Sequence, residues 1–229
     1  MEQLDQIVTL IALTAGVGWA SGINLYATLV TLGILGVTGN MVLPEELNVL
    51  TNPMVIAAAG LMYMVEFTAD KIPGIDSIWD SIHTFIRIPA GAILAASMIG
   101  DAGAGVELAA AIVGGGLATT THMTKTGSRL LINTSPEPVT NWIASITEDI
   151  AVVLGIWTAV QNPWLFLLLL VFFLLMLVWL LPKIWRMLKK AGRGIKSLLI
   201  RPKETAANSA TESPIDLPQL DKPPHPQEK

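Results

Sequence analysis

Cysteine is absent from this 229-residue chain. That excludes disulfides, cysteine-ligated zinc, iron–sulfur clusters and thiol nucleophiles together, and leaves the redox compartment open. Charge is scarce as well: Asp, Glu, Lys and Arg make up 14% of residues, where a soluble domain carries about a quarter. Basic residues are concentrated late, since ten of the fourteen lie from Lys183 onward and only Lys71, Arg87, Lys125 and Arg129 precede it. The opening MEQLDQ has two acids and no Lys or Arg, so it lacks the basic n-region of a cleaved signal peptide, and the first apolar segment is expected to remain. No HExxH, P-loop, dinucleotide fingerprint or EF-hand pattern occurs.

What is present is apolar, 52% of the chain. Windows of about 20 apolar residues read as membrane spans, and six are expected, over residues 6–37, 53–69, 76–99, 103–132, 139–160 and 163–181. The fold class is therefore all-α, a polytopic membrane helix bundle. Glycines interrupt the first segment in AGVGWASGIN and the fourth at 114–116. Such runs serve close helix packing or free the backbone of a discontinuous helix; two such segments add weight to the second use, and two Gly-broken helices are expected. A shift of 64 residues sets Ser81, Ile82, Ile86, Gly91 and Ala95 on Ser145, Ile146, Ile150, Gly155 and Ala159, and GWAS resembles GLAT at 116–119. A weak internal repeat is one reading.

The last span contains no polar residue and reads as a lipid-facing anchor with Trp164, Trp179 and Trp185 near its ends. Residues 183–203 form a basic amphipathic segment suited to anionic lipids, and the Pro-rich tail, 204–229, is expected to be disordered. The spanning domain is thus 1–182. Lys and Arg excess puts the C-terminus on the cytoplasmic side, and six spans put the N-terminus there too, in an inner membrane.

Asp76, Asp80, His83 and Arg87 stand at i, i+4, i+7 and i+11, within an arc of roughly 60° on a helix. His122, Lys125 and Arg129 form a second stripe, Glu66 and Asp70 an acidic pair one turn apart, and Glu148 with Asp149 supplies acids to the fifth span. An unpaired ion at the bilayer centre costs between about 2.5 and 17 kcal/mol, so the stripes must face each other or a wet cavity. One ion pair suffices to fix helix register; about ten ionisable groups point instead to a site. Arg87, Lys125, Arg129 and His122 are the candidate binders of an anionic group. Glu66, Asp70, Asp76, Asp80, His83, Glu137 and Glu148 are candidate counter-charges or proton-relay members. Asp76, Asp80, His83 and Glu148 have metal-ligand chemistry, but Arg87 among them argues against a cation cage, and neither metal nor cofactor is expected. WASG at 19–22 has the Ser-Gly step of intramembrane serine proteases, but Trp19 replaces the glycine two residues before Ser21.

The stretches SGINLYATLVTLGILG, EFTADKIPGIDSIWDSIHTFIRIPAGA and THMTKTGSRLLINTSPEP resemble those of an uncharacterised bacterial membrane family, domain of unknown function 4126, over roughly residues 5–195. The resemblance implies a multispanning membrane protein with no assigned activity. The residues themselves point to a small transporter or carrier with a charged, cytoplasm-facing site, possible proton coupling and the bilayer as its partner, without nucleic acid. A membrane scaffold or regulator and an intramembrane lipid-modifying enzyme are the alternatives.

Overall fold

The computed structural model describes residues 1–72, 74–133 and 138–199. Glu137, Pro136 and the 204–229 tail lie outside them, as does the end of the 183–203 segment. The chain divides into two units, Met1–Arg186 and Met187–Lys229. Among the described residues the structure is all helical: α1 (Glu2–Ile23), α2 (Leu25–Val37), a 3₁₀ turn (Glu45–Thr51), α3 (Pro53–Ala69), α4 (Ile75–Ser97), α5 (Ala104–Ile132), α6 (Pro138–Gln161) and α7 (Pro163–Leu199).

Each expected span is helical. Glu2–Ile23, Ala104–Ile132, Val139–Gln161 and Pro163–Leu180 are long and apolar enough to cross a membrane, and the pair Glu45–Thr51 and Pro53–Ala69, bent by 70°, would make a fifth. The chain is thus a membrane protein. The remaining expected span, 76–99, is α4, whose charged stripe lowers its hydropathy; the 6–37 span is α1 followed by the 13-residue α2, which reaches only about 20 Å.

The first expected break is real, but an asparagine makes it. Asn24 adopts an extended backbone (φ −148°, ψ 102°), and its Oδ1 accepts the Ala27 N–H as the cap of α2. That N–H would otherwise bond the Ile23 carbonyl, which is left free. Asn24 Nδ2 donates to Asp149 Oδ1 at 2.9 Å, tying the break to α6. Asn24→Ala should cost about 1 kcal/mol for the cap and about 1–3 kcal/mol more for the buried carboxylate left without its donor. Thermal melting in detergent measures this; a variant melting like the wild type would mean that other contacts hold the break.

The second expected break does not form: α5 runs unbroken through Gly114, Gly115 and Gly116. Gly114 and Gly115 shorten helix–helix distances instead, while Gly116 faces open space. A Cβ on Gly18 would lie 2.6 Å from Gly114 Cα, and one on Gly114 would strike Ala95 Cβ. A Cβ on Gly91 would lie 2.6 Å from Ala118 Cβ. Helices α1, α4 and α5 therefore meet through small residues. Gly18 of GWAS and Ala118 of GLAT both lie in this small-residue contact, against Gly114 and Gly22 respectively.

Among the described residues, most of the large side chains of α7 face outward, as expected of an anchor, among them Leu168, Phe172 and Leu175. Phe166 and Leu170 instead pack into a cluster with Ala12, Ala15 and Ala159.

Candidate functional site

The close crossing of α1, α4 and α5 brings their polar positions together at one end of the helices. The buried residues of α4 are Asp76, Asp80, His83, Arg87, Gly91, Leu94 and Ala95, the face that the period picked out. Thr121, His122, Lys125 and Arg129 are buried on α5.

Lys125 is the hub. Its Nζ lies 2.7 Å from Asp70 Oδ2, 3.6 Å from Glu66 Oε1, 3.6 Å from Glu148 Oε2 and 3.9 Å from Asp80 Oδ1. It also donates to the Ile23 carbonyl at 3.2 Å, the acceptor freed by the break at Asn24. Arg87 bridges Glu66 at 2.7 Å and Asp80 at 2.9 Å. Arg129 donates to Glu148 at 2.6 Å, lies 3.6 Å from Asp70 Oδ2, and donates to the carbonyls of Asp70 and Asn141. Among the described residues, three cations and four carboxylates thus form one network joining α3, α4, α5 and α6.

The network is closed apart from one member. Side-chain exposure is 0–2% for six of the seven groups and 19% for Glu148. Glu66, Asp70 and Asp80 each use one carboxylate oxygen; Glu66 Oε2, Asp70 Oδ1 and Asp80 Oδ2 are buried without a partner, as are Arg87 Nε and Arg129 Nε. Buried polar atoms of this kind are rare and call for a ligand, a proton or water.

His122 joins the network as an acceptor. Arg87 Nη1 lies 3.1 Å from its Nδ1, so the ring is neutral and its Nε2–H donates to Thr84 Oγ1 at 2.7 Å. It is not the third cation of a basic stripe, and the anion-binding role expected of it would require that ring to gain a proton. His83 and Asp76 stand apart from the network. The His83 Nδ1–H donates to the Trp79 carbonyl, its ring stacks on Trp79, and its Nε2 accepts from the Tyr26 hydroxyl at 3.2 Å. Asp76 accepts from Gly74 N, Ser77 N and Asn133 Nδ2 at the start of α4. Asp149 projects from the next position after Glu148, about 100° around α6, and meets Asn24 instead.

In the α3–α4 turn, burial raises the Asp70 carboxyl, but the Lys125 ammonium, with Arg129 and Arg87, outweighs it and holds the group below the ordinary carboxylate range. Burial pushes Lys71 down, only partly offset by Asp149 and Asp70; its ammonium sits over the Phe67 ring and donates to Ser145 Oγ. Among the described residues, no group of three or more His, Asp and Glu side chains is placed to hold a metal ion. Lys125 occupies the centre where the carboxylates converge.

One cavity adjoins this network, and a second shares part of its lining. One, of ≈ 250 Å³, is lined by Lys125, Glu148 and four hydroxyl side chains together with Trp19, Ile23, Ala151 and Phe173. The other, of ≈ 370 Å³, shares Trp19, Ala151 and Phe173 with it and continues between α1, α6 and α7.

Nearly all of this architecture falls inside a known sequence family. The model of a domain of unknown function, DUF4126, matches residues 11–183. The chain belongs to the DUF4126 family. No curated protein and no solved structure matches it. The DUF4126 match spans every member of the charged network, the Asn24 break and both cavities, so these belong to the family domain and not to the C-terminal extension.

Sequence reasoning missed Asn24, Tyr26, Asn133, Asn141 and the Ile23 carbonyl. A polar residue inside an apolar run, as in SGINLY, was the available signal for Asn24.

Proposed function

We propose that this protein is a proton-coupled carrier whose working site is the buried network centred on Lys125. One observation carries the reading: four carboxylates meet three cations in a closed space, so charge balance needs one more positive charge. In a poorly polarisable interior an uncompensated charge is expensive, and a proton is the smallest ion that neutralises it. Glu148 is where that proton exchanges, because it is the carboxylate of the network that lines a cavity.

An anionic group enters the same scheme. In the closed state both end nitrogens of Arg87, Nη2 of Arg129 and the Lys125 ammonium are held by internal carboxylates. Protonating those carboxylates releases them, so an anion would bind together with its proton. The unpartnered Nε–H groups of Arg87 and Arg129 favour this second use of the site.

A rapid pH step on vesicles containing the purified protein tests the reading without any substrate. Proton binding to Glu148 should give a transient charge displacement on a supported membrane, and Glu148→Gln should remove most of it. Transients no larger than those of protein-free vesicles would make the network a static brace.

A further inference from the structure

We infer that α4 is a two-part gate hinged at Pro89, whose first half swings away from α5 to open the charged network. This deepens the carrier reading and rests on it for the trigger, protons taken up by the network. Pro89 stands inside α4. It has no N–H, so the Phe85 carbonyl loses its intrahelical donor, and its ring crowds that carbonyl. Sharp bends of long helices occur at such positions.

The two halves are held in different ways. Before Pro89, α4 reaches its neighbours through polar side chains. Arg87 bridges to Glu66 on α3 at 2.7 Å and to His122 on α5 at 3.1 Å, and Thr84 meets His122 at 2.7 Å. Asp80 lies 3.9 Å from Lys125, His83 meets the Tyr26 hydroxyl of α2, and Asp76 accepts from Asn133. After Pro89 the contacts are steric. A Cβ on Gly91 would lie 2.6 Å from Ala118 Cβ and 3.4 Å from Ser21 Cβ, and one on Gly115 would lie 3.1 Å from Ala92 Cβ. Leu94 and Met98 belong to the main apolar core. Close packing is indifferent to protons, and ion pairs are not. The proline stands at the boundary between the two.

Proton uptake therefore loosens only the first half. The charged groups around Asp80 and Arg87 are Glu66 and Asp70 from α3 and its turn, Lys125 and Arg129 from α5, and Glu148 from α6. Once two of the four carboxylates carry protons, three cations face two anions, and Arg87 on α4 is repelled by Lys125 on α5. There is room for the half to move. Ile78, Ile82 and Phe85 face outward, and an open groove of ≈ 530 Å³ lies between Ile75 and Trp79 on one side and Met64, Val65 and Thr68 of α3 on the other. Ile78 stands about 16 Å along the axis from the hinge, so a bend of about 20° displaces it by about 5 Å.

The chain has no cysteine, so spin labels on introduced cysteines report the movement in the full-length protein. Ile78→Cys before the hinge and Ile93→Cys after it, both at outward-facing positions, are each paired with Ile143→Cys on α6. On acidification, pulsed electron paramagnetic resonance should show the 78–143 distance changing by about 5 Å while the 93–143 distance holds. Pro89→Ala, which gives the Phe85 carbonyl its donor back, should melt no lower than the wild type and lose most of that change. No shift in either pair, equal shifts in both, or a full shift in Pro89→Ala would each overturn the hinge. If the pH-step transient persists without a shift, the proton site stands and the gate falls. A shift confined to the 78–143 pair without a transient would instead keep the gate and remove the carrier reading.

Discussion

Lys125→Met should prevent the folded protein from accumulating in the membrane, and adding Asp70→Asn should restore much of it. The ammonium has four carboxylates within 3.9 Å. Without it, those carboxylates face one another across a closed space with only Arg87 and Arg129 to offset them. Breaking a buried pair from one side costs about 3–5 kcal/mol, a large share of the roughly 5–15 kcal/mol that holds a typical domain folded. Neutralising Asp70, the nearest carboxylate at 2.7 Å, removes one of the stranded charges, so the double variant should be less damaged than the single one. Yield of monodisperse protein and its melting in detergent measure both. A Lys125→Met protein that melts like the wild type would show that the ammonium is not what holds the carboxylates together.

Gly22→Val should be nearly as damaging, whereas Gly116→Ala should be harmless. A Cβ at position 22 would run into Thr121 Oγ1 and the Ala118 carbonyl, side chain and backbone of the facing helix. Relief requires α1 and α5 to separate, at a cost of about 1–3 kcal/mol or more. The same movement draws the Ile23 carbonyl away from Lys125, so the packing defect spreads into the charged network. Gly116 sits on the same helix as Gly114, but a Cβ there would meet no heavy atom within 4 Å. Alanine at that position should raise helix stability by roughly 0.5–1 kcal/mol. Equal melting of the two variants would mean that the crossing is looser than the structure shows.

The contrast between these glycines shows what a pattern of residues carries. Helix period placed Asp76, Asp80, His83 and Arg87 on one face, and all four are buried. Period gives a direction around an axis but not a depth along it. From Asp76 to Arg87 the axis advances about 17 Å, through three environments: a turn held by Asn133, an aromatic contact with Tyr26 and Trp79, and the ion network itself. Only Asp80 and Arg87 lie at the depth where α3 and α5 deliver their partners. Glycine is ambiguous for a related reason. The run at 114–116 weakens a lone helix, yet in the bundle the missing side chains let α1 and α4 approach, and that contact keeps α5 continuous. The break came where a polar side chain could replace a backbone acceptor, at Asn24. Its product, a free Ile23 carbonyl, leaves no mark in a residue alphabet.

The charged stripe of α4 also bears on how the chain is made. Asp80 and Arg87 each oppose entry into hydrocarbon, at up to about 2.5–3.5 kcal/mol apiece toward a helix centre on insertion scales. Asp80 and Arg87 pair with each other within α4, and their further partners come from Glu66 before them and Lys125 and His122 after them. During synthesis, α3 and α4 bring Glu66, Asp70 and Asp80 to the single guanidinium of Arg87, and the balancing ammonium of Lys125 arrives only with α5. Helices α4 and α5 must leave the insertion machinery as a pair, and a ribosome stalled before Lys125 would hold α4 at the water interface.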